Sequence, residues 1–310
     1  MGKKIFKALF IILLGIAFIA GGYLLGGRLK HNTWGSPFLG KIFGSSQRKI
    51  INHKQLRNTA DFPVDGSGFT VIDKPEIKNL DINLSYANII IKGNDHNGIT
   101  YQVTNDEKIK VRVGLEGDTL TIDDSMNKRT WNFFRFIGVD AKEPYPELTV
   151  YVPYSILYDS ISIRQGVGSC VLQGLSTYSL HLKTGVGEAE VTGITASKTI
   201  IETGVGESNF TRCDFTDMYL SSGVGETTFS GKLSGNSEIK SGIGEVHFEI
   251  EAKKESYSIS TSQGIGEIYV DSQRVGKTLG TQYSQSSIQD ENNTLKIENG
   301  IGSVYLKFTE

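Results

Sequence analysis

From about residue 160 onward, apolar residues return in fixed columns and not in helical stripes. A tetrad Gly-Val/Ile-Gly-Glu/Ser begins at Gly166, Gly185, Gly204, Gly223, Gly242, Gly264 and Gly300, with four intervals of 19 residues followed by one of 22 and one of 36. With the first tetrad glycine counted as zero, position 16 is Leu182, Ile201, Leu220 and Ile239, joined in the last repeat by Ile297. Position 6 is Leu172, Val191, Phe210, Phe229, Phe248, Val270 and Leu306, and position 1 is always Val or Ile. All three positions are expected to point inward. Polar residues such as Lys183, Glu202, Ser221 and Lys240 at position 17 separate them at the period of two that marks strands. A unit this short cannot bury its own apolar side, so units must stack into a solenoid. The glycine pairs predict a corner recurring in every rung, where the backbone takes conformations closed to other residues.

Upstream the same alternation is weaker. Leu80, Ile82 and Leu84 alternate with polar residues, and shifting Leu80–Gly93 forward by 100 positions lays it on Leu180–Gly193, with Tyr86-Ala87-Asn88 in the tetrad's place. This predicts a degenerate early rung, with neighbouring hairpins capping an end that would otherwise invite another chain. Two stretches break the rhythm, Asp123–Pro146 and Asp271–Asn293, and both are expected to leave the stack as loops. The expected body spans residues 66–310, with regular rungs over 160–308 and loops at 123–146 and 271–293.

Charge divides the chain. Residues 1–60 hold ten Lys and Arg and no Asp or Glu, so of the totals of 32 basic and 34 acidic residues, 22 and 34 remain for 61–310. A leader of net +10 thus precedes a body of net −12. Ala8–Leu25 is an unbroken run of apolar residues, Gly and one Tyr behind Lys3, Lys4 and Lys7, long enough to cross a hydrocarbon core of about 30 Å. No clean small-x-small cleavage site follows, so residues 1–27 are expected to be a cytoplasmic tail and transmembrane anchor, with the lipid bilayer met through residues 5–25. The N-inside form expected of a signal anchor makes the body extracytoplasmic. Residues 28–65 form a basic juxtamembrane segment, where Trp34, Phe38 and Ile42 recur at helical spacing within Thr33–Gly44. Its basic residues over 28–57 suit anionic lipids or envelope polymers; a solvated linker is the alternative.

The chemistry-bearing residues are few. Position 3 places Glu188, Glu207, Glu226, Glu245 and Glu267 in one column, with Ser169 and Ser303 expected at its two ends. Carboxylates about 4.8 Å apart repel by about 0.9 kcal/mol per pair even at the dielectric of water, so something must offset them. Either each Glu caps N–H groups of the neighbouring turn, or the column binds Ca²⁺ or a cationic peptide, and the spacing does not choose a metal over a peptide. Lys128, Arg129, Trp131, Phe133, Phe134, Arg135 and Phe136 make an aromatic-basic loop suited to a membrane surface or a partner, or to plugging the open end of the stack. Cys170 and Cys213 fall two rungs apart, beyond disulfide reach, and read as small buried residues. No nucleophile elbow, phosphate loop or paired Cys/His set occurs, so no catalytic residues are assigned. The acidic body also argues against nucleic acid.

Glu147-Leu148-Thr149-Val150-Tyr151-Val152-Pro153, then Ile161-Ser162-Ile163 running into Gly166-Val167-Gly168, then the 19-residue tetrads, together resemble the bacterial putative-adhesin domain family of unknown function. That family includes LiaG-like membrane proteins and LiaX-like proteins of Gram-positive envelope-stress systems. The resemblance covers about residues 70–308. It implies an all-β fold, a right-handed parallel β-solenoid of about 19 residues per rung, carried here behind an N-terminal transmembrane helix. It further implies a binding or regulatory module of the cell envelope, with envelope-stress membrane proteins among its partners and no catalytic residues. A glycan-processing β-helix enzyme and a bactofilin-like structural polymer are the readings from other classes.

Overall fold

The computed structural model describes residues 68–105, 110–124, 146–275, 279–287 and 293–309, all within the unit Leu56–Glu310. The predicted anchor over residues 5–25, the basic segment 28–57 and the aromatic-basic loop from Lys128 to Phe136 lie outside the described residues. Among the described residues no helix is long and apolar enough to cross a membrane. The described chain is all-β, with 21 strands and one turn of 3-10 helix, Lys254–Ser256.

Two ladders of parallel strands, numbered β1 to β21 in chain order, share each rung. β9 (Cys170–Val186) and β10 (Ala189–Val205) each bend through both ladders, pairing Ala189 with Cys170 at one end and Val205 with Val186 at the other. The stack continues through β11 (Ser208–Thr216) and β12 (Met218–Val224), then β13 (Thr227–Ser234) and β14 (Asn236–Ile243), and so to β15 (Val246–Glu251). The early rung predicted from Leu80 is present as β2 (Asn79–Tyr86) and β3 (Asn88–Asn94), with Leu80 opposite Ile161 of β8 (Leu157–Val167) and Ile161 opposite Leu180.

Rung order in space departs from rung order in sequence. The C-terminal strands β20 (Asn293–Ile301) and β21 (Val304–Thr309) pair on one side with β14 and β15, and on the other with β16 (Tyr257–Ile265) and β17 (Ile268–Val270). The last segment of the chain is therefore inserted between two rungs that precede it. At the other end β2 and β3 likewise lie between β8–β9 and the strands β6 (Thr119–Asp124) and β7 (Glu147–Pro153). The expectation that Asp271–Asn293 leaves the stack wholly as a loop is corrected. It contains β18 (Gln273–Arg274), antiparallel to β17, and β19 (Leu279–Gln285), antiparallel to β16.

At the opposite end the polarity also reverses. β5 (Val111–Glu116) runs antiparallel to β6, and β4 (Ile99–Thr104) runs antiparallel to both β7 and β1 (Thr70–Ile72). The reversed β4 and β5 replace the next parallel rung, and the strand outside β4, β1, is only three residues long; short and reversed strands are common ways of blunting a sheet edge.

The core follows the columns of positions 6 and 16. Leu182, Ile201, Leu220, Ile239 and Ile297 are fully buried in register, as are Val191, Phe210 and Phe229. Each such side chain contributes about 1.5–3 kcal/mol relative to exposure. The Phe215 ring lies 6.4 Å from that of Phe210 and 6.0 Å from that of Phe229, and Phe229 stacks on Phe248 at 5.2 Å.

The tetrad glycines serve two different purposes. The second of each pair has a positive φ, 144° at Gly187, 141° at Gly206 and 142° at Gly225, in a region closed to L side chains. A Cβ on Gly206 would also overlap the carbonyl oxygen of Gly187 beneath it. The first glycine has ordinary backbone angles, but a Cβ on Gly204 would overlap the carbonyl of Gly185. Gly193, at a different bend with φ of 63°, faces open space. Gly206→Val is thus expected to destabilise the body severely, through overlap added to the ~1–3 kcal/mol of a disallowed backbone. Gly193→Ala should cost only about 1–2 kcal/mol, because the left-handed conformation alone is penalised there. Thermal unfolding of the two variants beside the parent checks the ranking, and equal losses would show that close approach of the corners is not the constraint.

Candidate functional site

The recurring corner exposes its own chemistry, and it differs from the expected pattern in three ways. Position 1 was expected to face inward; it faces out. Val186, Ile301 and Ile265 are 48, 37 and 50 % exposed, and Val205, Val224 and Ile243 are half-buried. The cause is the arc of the corner: two glycines within three residues turn the chain, so strand alternation does not carry through. Directly before the glycines, position 18 is inward and polar, with Gln165, Thr184, Ser222, Ser241, Asn299 and Gln263 all buried. The corner is polar inside and apolar outside.

The glutamates do not cap the corner. Its N–H groups are satisfied by backbone: Gly187 donates to Val205 O, Gly206 to Val224 O and Gly225 to Ile243 O, each at 2.8 to 2.9 Å. Ala189, Ser208 and Thr227 donate likewise to the carbonyls of Glu207, Glu226 and Glu245. Side-chain capping instead comes from within and serves carbonyls near the two ends. Gln165 Nε2 donates to Ala87 O at 2.6 Å and Ser169 O at 2.8 Å, Asn299 Nδ2 to Gly244 O at 3.3 Å, and Gln263 Nε2 to Ile265 O at 3.1 Å.

The column itself is interrupted near one end. Insertion of the last rung gives the spatial order Ser169, Glu188, Glu207, Glu226, Glu245, Ser303, Glu267, so Ser303 separates two glutamates where it was expected to end the column. Partners also differ along it. Glu245 meets His247 Nε2 at 3.0 Å and Glu226 lies 3.8 Å from the same nitrogen, while Glu267 pairs with Arg274 at 2.9 Å and accepts the Tyr269 hydroxyl. That last bond holds the Tyr269 phenol above its ordinary value. Among the described residues Glu188 and Glu207 form no ion pair. No group of three His, Cys, Asp or Glu among the described residues is placed to hold a metal ion.

One feature escaped sequence reasoning. On the outer face, position 5 forms a ring ladder in which His247 stacks on Tyr305 at 4.4 Å and Tyr305 on Tyr269 at 5.0 Å, with interplanar angles of 11° and 6°. These rings, with Glu226, Thr228 and Lys307, line an open groove of about 550 Å³. The signal was present as an aromatic or His at position 5 of the last three repeats, but only the inserted rung brings Tyr305 between the other two. The two thiols lie far from this chemistry: Cys170 and Cys213 are free and buried, and burial pushes them up to about 12 and about 11.

These features define an all-β laddered body with polar, charged and apolar columns on its outward face. The Toastrack DUF4097 family model matches residues 77–303, and the chain belongs to that family. Among solved structures, it is similar to a putative cell adhesion protein from Clostridium sporogenes at 16 % identity, covering 77 % of this chain and 97 % of that one with a TM-score of 0.36. It is also similar to a putative adhesin from Bacteroides fragilis at 14 % identity, covering 76 % and 95 % with a TM-score of 0.40. No curated protein matches the chain.

Because Glu207 has a like charge in each neighbouring rung and no partner among the described residues, Glu207→Gln is expected to raise stability. The gain should be no more than about 1 kcal/mol at low salt and should shrink as ionic strength rises. Calorimetry across a salt series checks this; a loss of stability would mean that the carboxylate holds a structural bond. Calcium at fixed ionic strength provides the companion measurement, since a column that binds it would show a rise in melting temperature.

Proposed function

We propose that the chain is a membrane-anchored, extracytoplasmic binding or regulatory module acting in bacterial cell-envelope homeostasis or stress response. The observation that carries the binding reading is the set of outward columns in register, above all the Val/Ile and Glu columns of the corner. A solenoid repeats one side-chain type at a constant spacing along its length, which suits recognition of an extended partner. The names of two similar solved structures, a putative cell adhesion protein and a putative adhesin, agree with a binding role. Anchoring rests on the lysine-led apolar run before residue 26, and the envelope setting on the resemblance of the tetrad repeats.

Topology is the property to test first. The chain has only two cysteines, both buried with their thiols held protonated, so neither should react with an impermeant reagent while the body is folded. Ser272 sits exposed in the turn after β17. Ser272→Cys is expected to label on intact cells stripped of wall, with the parent protein as the blank. Labelling only after lysis would place the body in the cytoplasm and remove the surface reading.

A further inference from the structure

The outward residues of position 1 form a continuous apolar ridge. Register pairs Val186 with Val205, Val205 with Val224, Val224 with Ile243, Ile243 with Ile301, and Ile301 with Ile265, so the ridge crosses six consecutive rungs without a break. Beyond it Ile265 faces Leu279, the most exposed large apolar residue of the described body at 74 %. Scattered surface valines need no explanation, but a contiguous line of them does. Glycines flank every ridge residue, so the adjacent chain positions carry no side chain to lie over it, and three of the six, Val186, Ile265 and Ile301, are exposed while the others are half-buried. Two residues further on runs the Glu column, with Glu188 and Glu207 unpaired among the described residues.

We propose that the ridge and the adjacent Glu column together form a docking surface for a basic amphipathic α-helix of a partner protein. This rests on the reading of the body as a binding module and names its site and partner class. Spacing supports a helix: its turns recur about every 5.4 Å, against about 4.8 Å between rungs, so an apolar seam stays close to register over several rungs. Charge decides the sign: the partner's flank beside the seam must carry Lys or Arg to meet the carboxylates. A second copy of this chain fits poorly. Laid antiparallel, ridge on ridge, two copies would set Glu column against Glu column. Laid parallel, they would set it against position 17, where Lys183 already pairs with Glu202 and Lys240 with Glu238.

The test uses the full chain in neutral-lipid nanodiscs and a synthetic helical peptide of Leu and Lys with its leucines on one face. Two control peptides accompany it, one of the same composition with the leucines dispersed and one with Lys replaced by Glu. The patterned peptide should bind the parent at least roughly tenfold more tightly than either control. The ridge variant Val205→Ser, Val224→Ser, Ile243→Ser should lose most of that preference. Glu207→Gln with Glu226→Gln should weaken binding and flatten its salt dependence. These positions point outward, and thermal unfolding of each variant confirms that its fold is retained. Equal binding of patterned and dispersed peptides, or unchanged affinity in both variants, would overturn the proposal. So would a parent that sediments as a dimer dissolved by the ridge serines, which would assign the ridge to a second copy. Failure of the peptide to bind, with Ser272→Cys labelled on intact cells, would sink this docking site while leaving the extracytoplasmic reading in place.

Discussion

Backbone stacked on backbone at the glycine corner is the constraint on which the structure depends. Gly206 rests against Gly187, and Gly225 against Gly206, so closely that no side-chain atom fits between them. That contact carries the hydrogen-bond ladder around the corner, with the second tetrad glycine and the residue after the tetrad each donating an N–H to a carbonyl of the next rung. Irregular turns usually leave polar backbone groups for water or side chains to satisfy. Here the neighbouring rungs do it. The glutamates are thereby released from any capping duty, which is why a like-charged column can persist on the surface without backbone partners.

The corner also sets what the molecule presents to its surroundings. Turning the chain within three residues everts position 1 and inverts the usual arrangement, leaving Thr, Ser, Asn and Gln inside and Val or Ile outside. Buried hydroxyls and amides are costly unless bonded. Gln165, Asn299 and Gln263 meet part of that cost by donating to corner carbonyls near the two ends of the stack. The exposed apolar column is the counterpart of this inversion. An apolar ridge beside a carboxylate column is a surface of mixed character, suited to a partner that is both apolar and basic.

Insertion of the last strands between two earlier rungs has consequences beyond topology. β14 and β16 do not pair with each other, because β20 lies between them, so the rung containing Tyr257 depends on the far C-terminus for its ladder pairing to the stack. Contacts of this kind span 58 residues on one side and 36 on the other, and their closure entropy must be met before they stabilise anything. The same insertion assembles the His247–Tyr305–Tyr269 ladder and breaks the Glu column with Ser303. Surface composition at this end is therefore a product of rung order.

Much of the architecture was legible in the repeat itself. The 19-residue period, the inward columns of Leu182 and Phe229, the degenerate rung at Leu80 and the need for glycine at each corner all follow from local rules of period, burial and backbone freedom. Those rules act between residues close in the chain or related by a fixed offset, so a single sequence carries them in full. Three things were not legible for the opposite reason. The side on which Val186 falls depends on how sharply the corner turns, the partner of each corner N–H depends on which rung follows it in the stack, and the neighbour of Tyr305 depends on where the C-terminal segment inserts. Alternation is a property of an extended strand and lapses where the strand bends, while a constant offset fails where the stacking order departs from chain order. The sequence by itself determined what repeats and what must be buried; only the tertiary structure decided which rung lies next to which, and hence which side chains stand together on the surface.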